Sequence, residues 1–174
     1  MSEINKIKRQ IGTLMTTAGL MQIRQSINDL ATEEIYLKKI RESCNSFGIS
    51  INELDFMYRT TSWETWEQII PTLYGIIKEF KWEAEYFDCD DRASFMTSLC
   101  SLLFRINTCA SCYCEVYDSA TGKLKYLHWC NIIIDRSAQL YLFDVDNGGM
   151  VQKITSNNLI MGNNKYNLLQ LRLY

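Results

Sequence analysis

The sequence predicts an α+β fold in which helical segments come first and a helix then packs against an antiparallel sheet. Three observations point there. Apolar residues recur at spacings of three and four through roughly the first 105 positions, and the period then changes to two. The strand-like runs CYCEVY, LKYLHWCNIII and QLYLFDV succeed one another through the short turn-forming links DSATG and DRSA. A hydrophobic fraction of 47% against 22% charged residues in 174 is the balance of a chain that buries a core.

Taken in order, Ile4, Ile7, Ile11, Leu14, Ala18 and Met21 form a heptad seam. It predicts an amphipathic helix lying on its own domain, or an arm that docks a homo-oligomer or a protein partner through residues 4–21. Gly12 and Gly19 weaken that helix, each by about 1 kcal/mol relative to alanine. A second helix is expected from Thr32 to Phe47, with Thr32 as N-cap, Glu33 and Glu34 in the first turn and Gly48 at the exit. A third is expected from Ser62 to Phe80, interrupted by Pro71, with Trp63 and Trp66 on one apolar face. Asp91 to Arg105 reads as a buried helix, and NLLQLRLY as a last strand. The division expected is a helical region over residues 1–60 and the α+β domain over 61–174.

A formal net charge of −2 gives no basic excess to hold a nucleic-acid backbone. No apolar run approaches the ~20 residues of a membrane span, and MSEINKIKRQIG has no apolar signal-peptide core. A cytoplasmic protein is expected, with no nucleic-acid or membrane partner. The seven cysteines are odd in number, which reads as thiols rather than a disulfide framework. Cys109, Cys112 and Cys114 have part of a zinc spacing but no second knuckle, so they read as core thiols.

The most informative peptide is Phe87-Asp88-Cys89-Asp90-Asp91-Arg92-Ala93, placed where loop becomes helix. A cysteine at a helix N-terminus meets unpaired N–H groups and the positive end of the dipole, which favour a nucleophilic thiolate. Cysteine catalysis also needs a base, and His128 is the only histidine. The hairpin around Asp135 to Ala138 pairs residues whose numbers have a near-constant sum. A register of 272 sets His128 opposite Asp144, and one of 274 sets it opposite Asp146, so an acid reaches the imidazole in either case. The carboxylates around Cys89 oppose a thiolate, which calls for a compensating charge from Arg92 or from a bound cation. Asp90 and Asp91 are hard-oxygen ligands of the type calcium takes. Asn131, three residues beyond His128 on a strand, faces away from it.

FDCDDRA, then HWCN, then LYLFDVD together resemble the Cys-Asp-Asp, His-x-x-Asn and acidic-strand pattern of papain-like and transglutaminase-like cysteine peptidases. The likeness runs from about Trp82 to Gly148 and is greatest to the Asp-Cys-Asp-Asp domains. These include the C-terminal protease domain of the fairy-ring mushroom agglutinin and domains in bacterial and phage proteins. The resemblance implies Cys89 as nucleophile, His128 as base and Asp144 as orienting acid, with Asp90, Asp91 and Asn131 binding calcium. Two positions depart from the family. Arg92 stands where an aromatic residue is usual. Asp144-Val145-Asp146 replaces Glu-Pro-Gln, which keeps Asp146 as the second choice of acid.

Three functions are compatible with these residues. One is a calcium-assisted cysteine peptidase or amide hydrolase acting on a protein or peptide. Another is an inactive fold serving as a structural or docking module, as in a phage particle. The last is an acyltransferase using the same triad. The sequence leans to the first.

Overall fold

A computed structural model describes residues 31–173, and the heptad seam over residues 4–21 lies outside them. From Thr32 onward the chain forms one unit. Its elements are β1 (Thr32–Tyr36), α1 (Leu37–Ser46), β2 (Ser50–Asn52), β3 (Met57–Thr61), α2 (Trp63–Ile77), α3 (Cys89–Phe104), β4 (Cys109–Asp118), β5 (Leu124–Ile134), β6 (Leu140–Asp144), β7 (Met150–Lys153), β8 (Asn158–Met161) and β9 (Asn164–Arg172). This is the mixed α+β class that the order of periodicities predicts. Among the described residues no helix is long and apolar enough to cross a membrane.

Seven strands make the main sheet, in the order β2-β9-β4-β5-β6-β7 with β8 added to β9. All pairings are antiparallel except β2 with β9. Strict alternation explains the placement of the core. Ala110, Cys112, Cys114 and Val116 of β4 meet Cys130, Ile132 and Ile134 of β5 on one face, where Ile40 and Cys44 of α1 cover them. α3 is tied to the other face: Asn131 Nδ2 donates to Ala93 O at 2.9 Å, and the Thr97 and Ser111 hydroxyls lie 3.3 Å apart.

Two helices differ from expectation. Thr32 begins a strand, not a helix: Thr32 to Tyr36 pair with Thr61 to Met57, and the helix starts at Leu37. The segment 32–60, grouped in sequence with the N-terminal region, thus packs within the same unit. Pro71 does not interrupt α2, which runs through it from a Ser62 N-cap to Ile77. The ring sits on the solvent side, where a missing N–H is tolerated. Trp66 is fully buried, and Trp63 stacks on Tyr141 of β6 with ring centroids 3.7 Å apart, fixing α2 to the sheet.

Candidate active site

Cys89 is the first residue of α3, with Asp88 as N-cap. The loop before it is pinned by an aromatic cluster in which Phe80, Phe87 and Phe95 lie edge to face or tilted, 5.2 to 5.9 Å apart. Of the seven cysteines Cys89 alone is not buried. Burial pushes the Cys44 thiol up to about 12, and it raises Cys100 and Cys130 well above the usual thiol range. These are inert core thiols.

His128 lies on β5 and is 5% exposed; Asp144 ends β6 and is 2% exposed. His128 Nε2 and Asp144 Oδ1 are 3.1 Å apart. The Cys89 thiol lies beside the same ring. Burial alone would lower the imidazole pKa, but Asp144 and then Cys89 override it and raise it to about 10. Asp144 is driven the other way: burial raises its pKa, but His128 and a Tyr166 hydrogen bond outweigh that and leave it lowered. Both partners thus favour the charged form of the ring, whose Nε2 faces Asp144.

The hairpin register has the sum 274, with Asn131 opposite Phe143 and Ile132 opposite Leu142. Extended, it would set His128 opposite Asp146, yet Asp144 makes the contact. The pairing stops at Phe143, and the imidazole reaches diagonally to Asp144 on the same sheet face. Asp146 turns instead to Arg92, whose Nε lies 3.1 Å from its Oδ1.

Sequence reasoning missed Tyr166. Its hydroxyl donates to Asp144 Oδ2 at 2.5 Å, while Asp144 Oδ1 accepts the backbone N–H of Asp146 at 3.0 Å. Tyr166 sits on β9 and reads in sequence as one more apolar strand position. Only the β4–β9 pairing, which sets Val116 opposite Tyr166, brings it near.

Asp90 and Asp91 are exposed on the first turn of α3, and Asn131 is buried beneath the helix. One ligand atom each of Asp88, Cys89 and Asp90 lies within 4.8 Å of the others; Asp91 is outside that group. Contact with Asp88 raises the Asp90 carboxyl, and the same contact lowers Asp88. Asn131 Oδ1 is buried without a hydrogen-bond partner. A hard cation suits the Asp88–Asp90 carboxyl pair, whose repulsion it would relieve.

Cys89, Arg92, His128, Asp144 and Asp146 line one cavity of about 690 Å³ together with Trp82 and Tyr126. The arrangement sets a thiol, an imidazole and the carboxylate that pairs with it on the wall of one cleft.

No protein-family model and no curated protein matches this sequence. Among solved structures, one titled "PSL1a-E64 complex" is similar, with a TM-score of 0.54 at 14% identity. The match covers 80% of this chain and 51% of that one, so this chain spans about half its length. At that identity the likeness concerns the fold.

Proposed function

We propose that the protein is a papain-like cysteine peptidase or amide hydrolase using Cys89, His128 and Asp144. The observation that carries the proposal is the buried His128–Asp144 pair, 3.1 Å apart, lining one cavity with the only cysteine that is not buried. The sequence resemblance supports it. So does the similar structure, whose title names E64, a cysteine-protease inhibitor.

In the reaction the Cys89 thiolate attacks the carbonyl carbon of an amide, forming a C–S bond while the carbonyl oxygen takes negative charge. Backbone N–H groups at the start of α3 would serve as donors to that oxyanion. Collapse breaks the C–N bond, and the leaving nitrogen takes the His128 proton. The neutral imidazole then removes a proton from water as water attacks the thioester, and acid and thiol are released. Asp144 holds the ring's orientation throughout. The resemblance assigns calcium to Asp90, Asp91 and Asn131, but the carboxylate oxygens that lie together are those of Asp88 and Asp90; calcium there would order the helix entry, and no step passes through it.

The test is alkylation of every cysteine by iodoacetamide from about pH 5 to 9, read peptide by peptide, with calcium or a chelator present. Cys89 should react at least about tenfold faster than the buried thiols below neutrality, with the advantage abolished in His128→Ala. Chelation should slow Cys89. A Cys89 that reacts no faster than the other six, or that is indifferent to His128, would sink the reading; loss of the chelator effect alone removes calcium from it.

A further inference from the structure

Asp146 is a rival that the triad has to exclude. The hairpin register, were it extended past Phe143, would set it opposite His128, and one carboxylate oxygen lies within 4.8 Å of both a His128 ring nitrogen and an Asp144 oxygen. Two carboxylates competing for one imidazolium would let the ring turn between them, and the thiol needs the ring in one orientation. The structure shows what engages Asp146 instead. Arg92 is one helical turn beyond Cys89, hence on the same face of α3. Its side chain is only 9% exposed, pairs through Nε with Asp146 Oδ1 at 3.1 Å, and reaches Phe80 O through Nη1 at 3.5 Å. A buried cation held between a helix and a strand end is costly unless it is paired, and Asp146 supplies the pairing charge, as an ion pair in which the Nε–H is not aligned for a hydrogen bond.

We propose that Arg92 is a positioning residue: by claiming Asp146 it keeps that carboxylate off His128 and leaves Asp144 as the sole acid of the ring. The inference rests on the reading of Cys89 and His128 as a reacting pair, and it accounts for an arginine where similar domains carry an aromatic residue. The groups facing the imidazole are then fully assigned. Asp144 of β6 orients it, Cys89 of α3 uses it, Cys114 of β4 and Tyr126 of β5 flank it, and Asp146 is held by Arg92.

His128 is the only histidine, so its titration is a single resolvable NMR signal and tests the idea apart from reactivity. In Arg92→Met the freed Asp146 should raise the His128 pKa by about one unit and slow Cys89 alkylation about tenfold. Adding Asp146→Asn should return the titration toward the parent value and recover most of the lost rate. A mere latch between helix and turn would leave the titration unmoved and make the double variant no better than the single one. Either of those outcomes overturns the proposal. If Arg92→Met alone does not fold, the double variant decides: a Cys89 rate within about tenfold of the parent supports it, and a loss as deep as in Asp144→Asn overturns it. Should the parent Cys89 prove unreactive, the peptidase reading fails, while the NMR titration still reports whether Arg92 governs access of Asp146 to His128.

Discussion

Asp144 accepts from four donors, and their division between its two oxygens determines how the imidazole is held. Oδ1 faces His128 Nε2 and takes the N–H groups of Asp146 and Asn147, while Oδ2 takes the Tyr166 hydroxyl alone. Tyr166 is thus the one group that stops the carboxylate from rotating out of the plane of the ring. Burial first, and then the Asp144 charge, hold its phenol pKa far above the usual range, so it donates at every working pH. Tyr166→Phe keeps the packing and removes that donor. A hydrogen bond to a charged group is worth about 1.5 to 3 kcal/mol, so Cys89 reactivity should fall roughly tenfold with stability lowered by a similar energy. Alkylation kinetics and urea unfolding of the variant would show it; unchanged kinetics would mean the backbone N–H groups suffice. At this scale the sequence pointed to Cys89 and His128 as candidates, because they carry local signals of helix entry and strand. It could not reveal Tyr166, whose role depends on a pairing between distant strands.

The strands were legible because alternation is a local property, and β5 runs over the very residues LKYLHWCNIII. The segment Thr32–Tyr36 was not. Its acidic residues after a threonine imitate a helix start, but pairing with Met57–Thr61 overrides that local preference. The choice between Asp144 and Asp146 was likewise out of reach, since it depends on where β6 stops pairing rather than on the register sum. The turn between β6 and β7 is therefore part of the site. It closes under α2 at Gly149, where φ is +70° and a Cβ would lie 2.7 Å from Tyr74 Cδ2. Gly148 has a similar φ of +69° but open space around it. Gly148→Ala should thus cost only the left-handed conformation, about 1 kcal/mol. Gly149→Ala must also push back the Tyr74 ring, and should cost about 2 kcal/mol or more and slow Cys89 by shifting Asp144 and Asp146. Urea unfolding of the two variants side by side measures the difference; equal losses would show that the turn does not depend on α2.

Across the whole molecule, the buried His128–Asp144 pair should contribute to how stability depends on pH. His128 has a pKa raised to about 10 in the folded chain, above its ordinary value of 6.5. Its contribution is therefore complete below the unfolded value and is lost as pH rises through the folded one. Asp144 has a lowered pKa, so its contribution is present above the ordinary 3.8 and is lost as pH falls through the shifted value. The two windows overlap between the ordinary aspartate and histidine values, where the ion pair is fully charged and its net contribution greatest. Other carboxylates, lysines and tyrosines titrate as well, so the informative quantity is the difference in urea midpoint between the parent and His128→Asn. That difference should be flat from about pH 5 to 6.5 and should shrink steadily toward pH 10. A difference that holds constant across the alkaline range would mean that His128 is neutral in the folded protein. In the proposed reaction the proton for the leaving nitrogen would then have to come from elsewhere, and the geometry around Asp144 would be orienting an imidazole rather than stabilising an imidazolium.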